Sequence, residues 1–121
     1  MSRVVHFEIP SSEPEKSIEF YRKTFGWEIN QWGDEHYWLC KTGDESAPGI
    51  NGAIIKKRSP EHPIVNSIGV NNIKQAVEVI EASGGIIVVP VMAIPGVGWV
   101  AYFKDPDGNI LGIIQTDANA K

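Results

Sequence analysis

Several things are scarce in these 121 residues, and each scarcity removes a class of explanation. Cys40 is the one cysteine, so no internal disulfide can staple the fold. Cationic stripes are missing as well. The formal charge is -4, and Lys56-Lys57-Arg58, the one basic cluster, reads as a solvated strand end, so nucleic acid is not an expected partner. The longest apolar run, Ile86 to Ile94, is broken by Pro90 and too short to cross a bilayer, so no membrane partner is expected. Residues 1–10 lack the charged, apolar and small-residue series of a signal peptide and alternate like a strand. A soluble, cytoplasmic chain forming one compact domain over 1–121 is the expectation, with roughly two-thirds of its unfolded surface buried.

What is present is one plan written twice. Val5 to Ile54 runs strand, helix, Gly26 and three strands, and Ile64 to Ile114 repeats the series. Superposed, Ser11 falls on Val70, Pro14 on Ile73, Gly26 on Gly85, Trp38 on Val100 and Gly52 on Gly112, at an offset of about 60. Modules 1–57 and 64–116 are joined by a linker, 58–63, in which Pro60 and Pro63 stop either strand from continuing. Each module is too small to bury both faces of its own sheet. The predicted architecture is therefore α+β: two βαβββ modules in tandem, forming a curved eight-stranded mixed sheet around a shared cleft.

Within module one, Val5, Phe7 and Ile9 alternate with Val4, His6 and Glu8, so one face of the first strand is apolar and the other carries two titratable groups. A helix follows, capped by Ser11-Ser12-Glu13 with Pro14 in its first turn, and Gly26 ends it. Strands are predicted over Trp27 to Gln31, Glu35 to Thr42 and Ile50 to Lys57. In module two the pattern gives a strand from Ile64 to Val70, a helix capped by Asn72 with Ile73, Ala76, Val77 and Ile80 as its apolar stripe, and strands at Ile86 to Met92, Trp99 to Lys104 and Ile110 to Gln115. Pro90 belongs on a sheet edge, and Thr116 to Lys121 reads as a frayed tail.

Phe20-Tyr21 with Phe25-Gly26-Trp27, Gly84-Gly85, the loop Ile94 to Gly98, and Phe103-Lys104-Asp105-Pro106-Asp107-Gly108-Asn109 stand in register with these elements. Together they closely resemble the vicinal-oxygen-chelate superfamily of glyoxalase I, bleomycin-resistance proteins, extradiol dioxygenases and methylmalonyl-CoA epimerase. The resemblance spans nearly the whole chain, and the start His6 to Pro10 with Gly49 to Gly52 is similar to its small glyoxalase or bleomycin-resistance-like members. It implies the paired-module fold and a homodimer. It does not fix the chemistry, because the fold hosts isomerases, lyases, dioxygenases and drug-binding proteins.

The superfamily's metalloenzymes take one ligand from the first strand and one from the last strand of each module, typically His and Glu. Carried over residue by residue, those positions are His6, Val65, Gly52 and Gly112, so one ligand of four is present. A slip of one residue would bring in Asn66, Asn51 or Gln115, whose amides replace an anionic carboxylate poorly. No metal and no other cofactor is expected.

The candidate site is accordingly built from other groups. His6 and Glu8 are the candidate catalytic pair, an acid and a base on one strand face, with mutual hydrogen bonding in a half-wet cavity as the plain alternative. Trp38, Asn51, Trp99 and Tyr102 are the candidate ligand-binding residues, the aromatic ones as planar walls, with core packing as the plain alternative for each tryptophan. Cys40 reads as a buried small hydrophobe. Gly52 and Gly112 read as glycines that keep the cleft open. The sequence points first to a protein that binds a small organic molecule, flat or aromatic, without the family metal. A glyoxalase-like lyase or isomerase using His6 and Glu8 is the second reading, and a structural dimer with a vestigial cleft the third.

Overall fold

The computed structural model describes residues 2–121. It contains eight strands and two helices: β1 (Arg3–Ser11), α1 (Pro14–Phe25), β2 (Glu28–Gln31), β3 (Tyr37–Lys41), β4 (Asn51–Lys56), β5 (Val65–Gly69), α2 (Ile73–Ala82), β6 (Ile86–Ile94), β7 (Gly98–Lys104) and β8 (Ile110–Thr116). The chain forms two compact units, His6–Ile64 and the residues up to Val5 together with Val65–Lys121. β1 is thus divided between them.

In the N-terminal unit β2 and β3 form an antiparallel hairpin, β3 pairs antiparallel with β4, and β4 lies parallel to β1. The period-two alternation read in β1 is realised: Phe7 and Ile9 pack with Ile18, Ile29, Cys40 and Ile54 under α1, while His6 and Glu8 occupy the opposite face. α1 begins at Pro14, whose missing N–H costs nothing in the first turn. Its cap differs from expectation. Glu13 is the N-cap residue but its side chain makes no capping bond, and Ser11 Oγ instead accepts from Glu13 N and bonds Ser17 Oγ at 2.6 Å. The helix ends on Gly26 at φ 72°, a left-handed conformation that favours glycine.

The C-terminal unit repeats the connectivity. β6–β7 and β7–β8 are antiparallel, and β8 lies parallel to β5. Ile73, Ala101 and Ile113 form its core beneath α2, with Ile68, Trp99 and Phe103 packed around them. Asn72 caps α2 as expected, its Oδ1 accepting from Gln75 N at 3.1 Å, and Gln115 Oε1 accepts from Ile73 N at 2.9 Å. Pro90 sits in β6, whose pairing with β7 shifts register on either side of Val89. The start of β1 runs beside β5 in this unit, where Val5 methyls would stand 3.2 and 3.3 Å from a Cβ placed on Gly69.

Residues 116–121 are not frayed. Asp117 N donates to Val97 O, Gly96 N donates to Ala120 O, the Trp99 indole N–H donates to Asp117 Oδ2 at 3.0 Å, and Ala120 is buried. A polar composition hid these bonds, because they reach back to a loop distant in sequence. No helix among the described residues is long and apolar enough to cross a membrane.

Candidate functional site

The polar face of the N-terminal unit is laid out by strand register. His6 stands beside Asn51, Glu8 beside Ala53, and across the next ladder Leu39 faces Ala53 and Tyr37 faces Ile55. On this face His6 Nε2 and Tyr37 Oη are 2.8 Å apart, and the two rings lie nearly parallel, 7° between planes. Burial lowers the His6 pKa below the ordinary imidazole value, so the ring is neutral at pH 7. One nitrogen of a neutral imidazole donates and the other accepts, so it can pass a hydrogen bond between Tyr37 and a bound molecule. Glu8 is 6 % exposed and is engaged by a neighbouring group.

Tyr37 was not among the site residues expected from sequence. Its membership depends on the β2–β3 hairpin register, which sets odd-numbered Tyr37, Leu39 and Lys41 on the polar face and Trp38 and Cys40 in the core.

The pleat separates the remaining candidates. Asn51 is on the His6 row, and its Oδ1 accepts from Thr42 N at 2.9 Å, so one end of the amide is already committed. Trp38 packs in the core under α1, and Trp99 packs in the core under α2 with its N–H bonded to Asp117. Neither indole shares a face with the residues it was expected to join: Trp38 lies on the far side of its sheet from His6, and Trp99 on the far side from Tyr102. Tyr102 is on the polar face of β7, with its ring beside Gly112. Cys40 is buried, and burial pushes its thiol pKa up to about 11, so it is no nucleophile.

The glycines also differ from expectation. A Cβ on Gly52 would stand 2.5 Å from the Phe7 ring and from Phe7 O, so this glycine lies on the core face and permits strand packing. Gly112 faces the other way: its Cβ position is crowded by Ser67 Oγ and Tyr102. The two glycines are therefore not equivalents. In the paired ladders Gly112 opposes Ser67 as Ala53 opposes Glu8, one residue away from the superposition read in the sequence. β6 with its register shifts is longer than β2, so one offset cannot hold through both hairpins.

These positions bear directly on the metal. The first and last strands of the N-terminal unit offer His6, Glu8 and Asn51, and those of the C-terminal unit offer Val65, Ser67 and Gly112. Among the described residues no three His, Cys, Asp or Glu side chains come together. Taken by itself, neither unit fits the superfamily's divalent ion, which needs at least three nitrogen or anionic oxygen ligands: the N-terminal unit's strands supply two such groups, His6 and Glu8, and the C-terminal unit's supply none at these positions.

A cavity of about 390 Å³ lies elsewhere, on the helix side of the C-terminal unit between α2, Ile68, Phe103 and Ile113. No titratable side chain lines it, so it offers no acid–base chemistry.

Comparison with known proteins agrees with this architecture. The family model of the Glyoxalase/Bleomycin resistance protein/Dioxygenase superfamily matches residues 3–113. The chain is 29% identical to a probable lactoylglutathione lyase of Vibrio cholerae, over 93% of its own length and 90% of the relative's. Among solved structures it is similar to methylmalonyl-CoA epimerase from Mycobacterium tuberculosis, with TM-score 0.71 at 12% identity, covering 95% of this chain and 88% of that one. A superfamily member from Vibrio splendidus gives TM-score 0.65 at 16% identity, covering 95% and 99%. With the family model spanning nearly all of it and both units built on the same βαβββ plan, the chain belongs to the glyoxalase/bleomycin resistance protein/dioxygenase superfamily.

Proposed function

We propose that this chain binds a small organic molecule on its polar strand face, at the row of His6, Tyr37 and Asn51, without a resident divalent metal. The observation that carries the reading is the partner of His6. The imidazole is bonded to a phenol, and among the described residues no three His, Cys, Asp or Glu side chains gather. A neutral imidazole and phenol suit hydrogen bonding to an uncharged polar group, and the exposed Leu39 on the same face suits an apolar body. Proton transfer by His6 and Glu8 is the second reading, favoured by the relay geometry of His6 with Tyr37 and by the likeness to a probable lactoylglutathione lyase. A homodimer acting in the cytoplasm completes the proposal.

The test is titration of the isotopically labelled protein with small aromatic carbonyl compounds, following the His6 and Tyr37 ring resonances before and after chelator treatment. Saturable shifts that survive chelation and weaken in His6→Ala support binding without metal. A stoichiometric divalent ion that survives purification and is lost in His6→Ala overturns it. Turnover of a bound carbonyl compound, abolished by Glu8→Gln, would favour the second reading.

A further inference from the structure

The cavity beneath α2 is built wholly from the C-terminal unit, and none of the His6 row lines it. Its volume, about 390 Å³, falls within the range that small-molecule sites occupy, roughly 300–1,000 Å³. The way α2 is seated explains the space. The helix carries an apolar stripe of Ile73, Ala76, Val77 and Ile80, yet of its described residues Ile73 alone is buried. Ile68 and Ile113, directly paired on β5 and β8, form the floor with Phe103. Above them stand Ala76, which fills little volume, Ile80, which is half-buried, and Val79, which is 57% exposed. Apolar surface on two facing layers is therefore left open to water, and an apolar body of the cavity's size would cover both at once.

The mouth decides the rest of the ligand. The exposed Asn71, Asn72 and Gln75 border it, whereas Lys74 and Glu78 on the same helix lie outside the lining. An ion would lose water there without meeting a countercharge. Nor is the start of α2 kept for an anion: Ile73 N donates to Gln115 Oε1 at 2.9 Å, and Gln75 N donates to Asn72 Oδ1 at 3.1 Å. That second bond commits the oxygen of the Asn72 amide. Its NH2 remains to donate, so the complementary head group is a neutral oxygen that accepts.

We propose that the cavity between α2 and the C-terminal sheet is a second binding site, for a small, uncharged, mainly aliphatic molecule bearing one oxygen acceptor. Its aliphatic body lies between Ile80 and Ile113, and its oxygen accepts from the Asn72 amide. This site stands independently of ligand binding at His6.

Three probes on one ring test it with the whole chain: cyclohexanone, cyclohexanecarboxylate and cyclohexylammonium, which are neutral, anionic and cationic. Binding is read from the methyl resonances of Ile68, Ile80 and Ile113, with the His6 and Tyr37 rings followed in the same samples. Cyclohexanone is expected to shift the three isoleucines saturably at millimolar concentration and to bind more tightly than either ion. Ala76→Leu, which fills the space, should abolish those shifts. Asn72→Ser, which keeps a capping oxygen but removes the amide donor, should weaken binding roughly fivefold, and it decides the matter if Ala76→Leu does not fold. Full affinity in Asn72→Ser overturns the assignment of the head group. Equal binding of either ion overturns the ligand class. Shifts confined to His6 and Tyr37 overturn the second site while supporting the first, and no shift at the isoleucines overturns it outright. If the isoleucine methyls instead move as protein concentration alone is raised, a second copy of the chain covers the cavity and the proposal falls.

Discussion

Burial alone pulls the His6 imidazole below its ordinary pKa, and His62 is lowered the same way, with Arg58 and Lys57 adding repulsion. In the unfolded chain both take up a proton near pH 6.5, whereas the folded protein takes them up only at lower pH. Between those values the unfolded state binds more protons, so stability rises with pH through this window and falls as pH drops below about 6.5. The melting temperature is expected to be lower at pH 5 than at pH 7.5, and His6→Gln should flatten part of that slope. A variant with the full slope of the parent would exclude His6 as its source. Asp105 and Asp117 titrate elsewhere. Hydrogen bonds hold their carboxyls below the usual value, mainly from Asn109 for the first and from Trp99 for the second, so their contribution is lost only under more acidic conditions, below about pH 4. At this scale the sequence was informative wherever a side chain's face follows from its own strand. His6 and Glu8 opposite Phe7 and Ile9 is such a case. Tyr37 is not, because its face depends on which residues of a neighbouring strand it meets.

Among the elements, the strand ladders make the sharpest demands. Gly52→Ala would bring a methyl against the backbone oxygen of Phe7, which cannot move without disturbing the β1–β4 ladder. Denaturant unfolding should show a loss of about 1–3 kcal/mol. Gly69→Ala would meet the Val5 methyls at 3.2 and 3.3 Å and the Arg3 carbonyl oxygen at an ordinary 3.8 Å, and should cost less. An equal loss at both positions would show that strand propensity, not contact with Phe7, sets the cost. Deleting residues 117–121 removes the backbone bonds from Asp117 N to Val97 O and from Gly96 N to Ala120 O, along with the burial of Ala120. With the Trp99 indole bond to Asp117 also lost, and at about 1 kcal/mol for each of the three hydrogen bonds, the truncated chain should unfold about 3 kcal/mol more easily, and an unchanged midpoint would mean that the tail is peripheral. Helix starts at Pro14 and Ile73 were legible in the sequence because capping and proline chemistry are local. The tail's anchoring was not, since its partners lie in the loop before β7.

For the molecule as a whole, the tandem βαβββ plan and the family were both readable from the chain, and the match over residues 3–113 shows the second. The proposed homodimer is checked by sedimentation equilibrium, which should return twice the chain mass at micromolar concentration. Phe20 and Phe25 on α1, 54% and 62% exposed, are apolar surface that a second copy could cover, and a strictly monomeric mass would remove dimerisation from the proposal. By itself the sequence determined which segments are strands and helices, that the plan occurs twice, and that His6 and Glu8 share a face, because periodicity, capping and turn chemistry act over a few residues. The tertiary structure alone decided that Gly52 faces the core while Gly112 does not, that the two tryptophans lie under the helices, and that Tyr37 bonds His6. Strand side chains alternate every residue, so a register slip of one position reverses every face, and register is set by pairing with strands far away along the chain.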